Sequence, residues 1–207
     1  MHSESPIFSK ISHDYLDRIR QLDLAAVSEK AGVEQTGGAL IVPLFGRPYR
    51  VSATGILDPR GKAPAHAVKV VLCQYLLHYP AKPPRDGTWV SYKDFRDAAP
   101  LANTFHVHNE MEIAKTFSGR LTALEAGCRY CRGRNHIGDF NYDLQVIVQA
   151  LPGIPMLLLF NDADSEFPAQ CLLLFERRAE RYLDMECLAI LGWILTEELK
   201  SRVESPE

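Results

Sequence analysis

The sequence predicts an α+β fold, with a single domain in which helices cover an antiparallel sheet. Apolar residues in the N-terminal half recur at steps of three and four, which is typical of amphipathic helices. From residue 139 they recur at every second position, which indicates strands with one solvent-facing side. A chain of 207 residues suffices for one well-buried core. We therefore expect a domain over 10–202, between a disordered tail at 1–9 and a short tail at 203–207.

The composition excludes several classes of protein. Apolar residues make up 46% and charged residues 24%, as in ordinary soluble globular proteins. The net charge of -3 provides no basic excess for nucleic acid or an anionic membrane. There is no secretory signal and no apolar run of about 20 residues, so a cytoplasmic location is expected. The five cysteines are odd in number and scattered, which favours reduced thiols.

Two helices are expected before the first strand. The first has a single apolar stripe, formed by Ile11, Tyr15, Leu16, Ile19 and Leu22. Asp23 is suited to cap a second, short helix. That helix should end near Gly32, because glycine tolerates the left-handed closing conformation.

A β-hairpin and a helix come next. Two β-type runs, 39–45 and 49–52, are separated by a Gly-Arg-Pro break. Pro43 lacks an N–H group, so the first strand should lie at a sheet edge or be near its end there. Residues 65–79 form a wide apolar stripe and predict a helix, which Pro80 ends.

The middle of the chain is expected to be mostly helical. A short strand at 88–92 is followed by a turn of helix that Ser91 or Asp94 starts. Helices are predicted at 100–119 and at 120–126, where Gly127 halts the second.

The last part of the chain supplies most of the predicted sheet. Strands are expected at 140–151, at 154–160 with both faces buried, and near 170–175. Together with the strands at 39–52 they should build one antiparallel sheet. A helix from Asp184 closes the chain, with Leu188, Leu191, Ile194, Leu195 and Leu199 on its inner stripe.

Several short runs resemble a prokaryotic family catalogued as domain of unknown function 3786. They are VPLFGRPYRV at 42–51, GTWVSYKDF at 87–95, GDFNY at 138–142, EFP at 166–168, YL at 182–183 and ECLAIL at 186–191. The resemblance covers roughly residues 15–200. It implies a soluble α+β domain, common in anaerobes and sometimes placed beside an iron–sulfur module, with no assigned activity. No site residue is implied by it.

The run from Cys128 to Asp139 is the candidate site. Cys128, Cys131 and His136 have the C-x2-C-x4-H spacing of three ligands of a zinc knuckle, but Asn141 stands where the fourth ligand belongs. Asp139, His106, His108 or a water could complete the site for zinc. Iron–sulfur ligation would need thiolates from a partner chain.

The run from Cys128 to Asp139 allows two other functional interpretations. Arg129, Arg132 and Arg134 would favour the thiolate and lower a cysteine pKa, as a redox pair requires. The same arginines, with Lys115 or Arg120, could instead bind a small anionic cofactor. They could also simply pair with glutamates on the preceding helices.

His106 and His108 form a second candidate metal pair. Side chains two residues apart lie on one face only in an extended segment, and they diverge in a helix. The pair can therefore bind one ion only if 104–108 is extended.

No nucleophile, base and orienting residue can be chosen together, so an accessory binding protein is expected rather than an enzyme. It would bind a metal centre or a small ligand through 106–139, and its expected partners are a small anionic ligand or another protein. The alternatives are a thiol–disulfide enzyme using Cys128 and Cys131 and a non-catalytic interaction domain that presents a sheet face.

Overall fold

Two antiparallel sheets organise the fold, which a computed structural model describes for residues 14–138 and 140–203. The first sheet has the order β1-β2-β3-β4: Glu34–Thr36, Ala39–Leu44, Arg47–Ser52 and Gly55–Leu57. The second has the order β5-β9-β8-β7-β6, with β5 Trp89–Ser91, β6 Arg134–Asn135, β7 Leu144–Leu151, β8 Ile154–Asn161 and β9 Gln170–Glu176. The predicted α+β class is confirmed.

The prediction that both groups of strands build one sheet is wrong. Phe45 and Gly46 both have positive φ, 49° and 75°, and so form the tight turn between β2 and β3. This turn meets the end of β7, where the Phe45 N–H donates to the Ala150 carbonyl at 2.9 Å. The apolar pattern predicted the hairpins, but it does not show whether strands of different hairpins pair in one sheet.

The helices follow the predicted order. Their bounds are α1 at 14–20, α2 Leu24–Ala31, α3 His66–His78, α4 Ala99–Phe105, α5 Glu112–Phe117, α6 Leu121–Tyr130 and α7 Met185–Val203. A π-helical segment, His106–Met111, joins α4 to α5. Asp23 caps α2 as predicted, accepting from the N–H groups of Ala25 and Ala26, and Gly32 closes it at φ 60°.

Helix α6 does not stop at Gly127, which corrects the predicted end. It runs on to Tyr130, and Gly127 lies inside it, against α7. A Cβ atom at this position would come within 3.0 Å of the Leu199 side chain. The glycine therefore allows close helix packing rather than ending a helix, and Cys128 becomes helical.

One continuous core connects the helices with both sheets. It extends from Ile19 in α1 to Leu199 in α7. Strand β8 is buried on both faces, as predicted: Met156 and Leu158 join this main core on the inner face. Leu157 and Leu159 lie on the outer face in a smaller cluster with Leu174, Trp89, Tyr142, Ile147 and Leu172.

The predicted tails at 1–9 and 203–207 fall outside the described residues, apart from Val203 at the end of α7. Within the described part of the chain, no helix has both the length and the apolar character that a membrane crossing requires.

Replacing Gly153 with alanine should destabilise the fold more than the same change at Gly61. Both glycines have left-handed φ, 82° and 74°, so both alanines cost about 1–2 kcal/mol of strain. Only at Gly153 would the new Cβ also meet the Tyr182 hydroxyl, at 2.6 Å, which adds about 1–3 kcal/mol. Chemical denaturation measures both free energies of unfolding. Equal losses would contradict the packing shown at Tyr182.

Candidate binding groove beside the π-helical segment

The two cysteines of the C-x2-C run are core residues. Cys128 lies in the last turn of α6 and Cys131 immediately follows the helix. Each is 1% exposed, and both belong to the main core on the inner side of the second sheet. Both are free thiols.

Burial raises the pKa of both the Cys128 and the Cys131 thiols to about 12. The expectation that nearby arginines lower these pKa values is wrong, because desolvation outweighs the cationic neighbours. The Arg129 side chain is 67% exposed and pairs with Glu125 at 3.7 Å, as one alternative predicted. The Arg132 side chain lies along the Gly46 backbone, and Arg134 is exposed on β6.

His136 lies on the other side of the sheet from the cysteines. Its N–H donates to the Gln145 carbonyl at 2.9 Å, and its ring lies 6.4 Å from that of Trp89, a member of the outer-face cluster. A Cβ at Gly138 would collide with the His136 ring, so this glycine makes room for it.

The predicted metal ligands are therefore not brought together. Among residues 14–138 and 140–203, no three His, Cys, Asp or Glu side chains are grouped so that they could hold a metal ion. Asp139, a proposed fourth ligand, lies outside these residues. Binding of zinc or iron stays a prediction.

The histidine pair also fails to converge. His106 and His108 both lie in the π-helical segment, where residues two apart point in nearly opposite directions. The extended conformation that convergence required is absent. Instead, His106 Nδ1 lies 2.7 Å from Glu110 Oε2.

Glu110 explains why the helix widens at this point. Glu110 is 6% exposed, and its second carboxylate oxygen accepts from the Leu173 N–H of β9 at 3.0 Å. Strand β5 ends with Ser91 opposite Leu174, one position short of that N–H. A buried backbone donor needs an acceptor, and Glu110 supplies it from the helix.

Asn109 and Gly192 form the contact between the π-helical segment and α7. Asn109 is 2% exposed, and its Oδ1 has no hydrogen-bond partner among the described residues. A Cβ at Gly192 would approach Asn109 Nδ2 to 2.9 Å and would also meet the Phe105 ring. The glycine thus allows α7 to approach closely enough to bury a polar side chain.

A groove of about 280 Å³ lies beside this contact. Helix α4 and the π-helical segment form one wall, and α7 forms the other. Its walls include Leu101, Phe105, His108, Ala189, Ile190 and Trp193. Trp193, on the wall of the groove, is a large apolar side chain that is 42% exposed. An exposed tryptophan on the wall of an apolar groove is typical of a binding surface.

Among the described residues of the lining, the carboxylate is that of Glu186, at one end of the groove. Farther along α7, Glu197 and Glu112 share the ammonium group of Lys200, at 3.2 and 3.0 Å. The Glu186 end of the groove therefore suits a basic side chain of a partner.

Sequence reasoning missed the groove, although it singled out His106 and His108 beside it. One signal was available: Trp193 falls on the outer side of α7, away from the apolar stripe. Nothing in the helical pattern at 100–119 indicated a π-helical turn, because that turn depends on a contact with β9.

Replacing Glu110 with alanine should leave the Leu173 N–H buried without an acceptor. We expect a loss of about 1–3 kcal/mol in the free energy of unfolding. Glu110→Gln should recover most of it, because the amide oxygen still accepts. Glu29→Ala, at an exposed position of α2, is the matched control and should cost less than about 0.5 kcal/mol. Amide hydrogen exchange at Leu173 that is no faster in Glu110→Ala would contradict the assignment.

The buried thiols should make the fold sensitive to alkaline pH. An unfolded cysteine loses its proton near pH 8.5, whereas folded Cys128 keeps it up to about pH 12. Its contribution to stability is thus complete below pH 8.5 and is lost as pH rises, by about 1.4 kcal/mol per pH unit. Cys128→Ala should make the decline above pH 9 shallower by that amount in denaturation experiments. An unchanged slope would show that the thiol is not protected.

Comparison with known proteins identifies a family for this chain but no function. No curated protein matches it, and no solved structure matches it. The profile of one family, described as Domain of unknown function (DUF3786), matches residues 23–198, which include both sheets and most of the helices. These residues form most of the chain, so the protein belongs to this family of unknown function.

Proposed function

We propose that this protein is a non-catalytic accessory protein that binds a helical segment of a partner through the groove between the π-helical segment and α7. The observation that supports it best is the exposure of Trp193 on the wall of that apolar groove. Exposed tryptophan is enriched at protein interfaces, where its large apolar surface contributes much of the binding energy.

The shape of the groove favours a helix as the occupant. Two adjacent helices form its walls, and its lining is almost entirely apolar. An amphipathic helix places apolar side chains at positions i, i+3, i+4 and i+7, and such a row fits a groove of this kind. The Glu186 carboxylate at one end of the groove favours a helix that carries lysine or arginine at that end.

The binding surface is held by contacts that are already buried. Phe105 stacks on Tyr92 with ring centroids 4.3 Å apart, and Glu110 is tied to β9. A groove that is formed before the partner arrives loses little entropy on binding.

The other predicted functions have less support from the geometry. Buried thiols with raised pKa values do not favour a thiol–disulfide enzyme. The predicted metal or anionic-cofactor site at Cys128, Cys131 and His136 has its members on opposite sides of a sheet. Elemental analysis of protein purified without added metal tests that prediction directly.

The test uses a fluorescein-labelled synthetic peptide of leucine and lysine with helical periodicity, titrated with the protein. We expect saturable binding in fluorescence anisotropy. A peptide with glutamate in place of lysine should bind at least about tenfold more weakly, a difference of about 1.4 kcal/mol. Trp193→Asp should weaken binding of the lysine peptide by a similar factor.

Phe167→Asp is the matched control, because Phe167 is 62% exposed on the loop between β8 and β9. It should leave binding unchanged. Two results would overturn the proposal: equal binding of the two peptides, or equal loss of binding in the Trp193 and Phe167 variants.

A further inference from the structure

A separate cavity of about 210 Å³ lies beneath α1, against β4 and α3. Its described lining shares no residue with that of the groove beside α7. Leu57 lines the cavity and is 39% exposed, so the cavity reaches the surface. The wall also includes Tyr15, Thr54, Ile56, Lys69, Val70 and Cys73.

Three contacts hold α1 over the cavity. Ile19, 1% exposed, anchors α1 in the main core. The Arg20 side chain donates to the Ala53 carbonyl at 2.9 Å, and Gln74 Nε2 donates to the Tyr15 hydroxyl at 3.0 Å. The walls are therefore in place before a ligand enters, which reduces the entropy lost on binding.

The polar side chains of the described lining already interact with other groups of the protein. The Tyr15 hydroxyl accepts the hydrogen bond from Gln74. Thr54 Oγ1 lies 2.9 Å from the Ser52 hydroxyl, and Lys69 also has an interaction partner. A charged ligand would lose its hydration in this cavity without gaining a free counterion, and that loss is costly.

The two acidic groups of the lining stay neutral near neutral pH. Burial raises the pKa of the Tyr15 hydroxyl, and it raises the pKa of the Cys73 thiol to about 12. Neither group therefore supplies a negative charge that could balance a cation. The lining favours an uncharged, apolar ligand.

The size of the cavity suits one aromatic ring. An apolar cavity of about 150 Å³ is enough to bind benzene. A space of about 210 Å³ therefore accommodates one ring with a small substituent. Tyr15 contributes an aromatic ring to the wall, and two aromatic rings attract each other beyond the effect of the area that they bury.

We propose that this cavity binds an uncharged molecule built on a single aromatic ring. The ring lies between Ile56 of β4 and Val70 of α3, and it contacts the ring of Tyr15. The opening beside Leu57 is the route of entry. The site is independent of the proposed partner groove, so either proposal can fail alone.

Toluene is the probe, and N-methylpyridinium is a cation of nearly the same size and shape. At about ten times its dissociation constant, toluene should raise the melting temperature of the full chain by about 3–6 °C. In calorimetric titration N-methylpyridinium should bind at least about tenfold more weakly, because its charge would be buried without a counterion. Methylcyclohexane should bind about threefold more weakly, because it lacks the ring contact with Tyr15. Equal binding of toluene and either analogue, or no binding of toluene, would overturn the proposal.

Nuclear magnetic resonance locates the bound ring. Toluene protons should show nuclear Overhauser effects to the methyl groups of Ile56 and Val70, and none to those of Ile190 in the partner groove. Val70→Phe fills the cavity and should abolish binding of toluene. Val107→Phe, the same change at an exposed position of the π-helical segment, should leave binding intact. Overhauser effects to Ile190 instead of Ile56, or undiminished binding by Val70→Phe, would show that toluene binds elsewhere and would overturn the proposal.

Discussion

The hydrogen bond from the Leu173 N–H to the Glu110 carboxylate governs the shape of the helical layer. Strand β5 is too short to pair with Leu173, and a buried donor without an acceptor is costly. A side chain from the helix takes the place of the missing strand residue. In a π-helical turn successive residues are separated by a smaller angle than in an α-helix, so Asn109 and Glu110 can both be buried. The groove beside α7 is a consequence of that turn.

Much of the fold was predictable because it depends on local patterns. The cap at Asp23, the closing glycine at Gly32 and the double burial of β8 were all visible as periodicity or as single residues with restricted conformations. Features that depend on contacts distant in sequence were not. Gly127 was interpreted as a helix stop because its role comes from Leu199, which is 72 positions further on.

The predicted metal site shows the same difference between local patterns and contacts that depend on the fold. The C-x2-C-x4-H spacing is a one-dimensional signal, and it assumes that the chain folds back on itself between Cys131 and His136. Instead, the chain enters β6 at Arg134, and this strand carries it round the edge of the sheet to the outer face. The histidine ring then covers apolar side chains of the sheet. Short spacing along a chain thus does not ensure proximity when a strand edge lies between the residues.

The order of strands in the second sheet also bears on how the chain is synthesised. Strand β5 is made early, but its partner in the sheet is β9, about 80 positions later. Until β9 and α7 have been synthesised, β5 has no strand to pair with, and the two apolar faces of β8 are not fully covered by other elements. Contacts between such distant segments slow folding and expose aggregation-prone surface in the meantime. The nascent chain therefore becomes resistant to aggregation only after residues 170–203, which contain β9 and α7, have been synthesised.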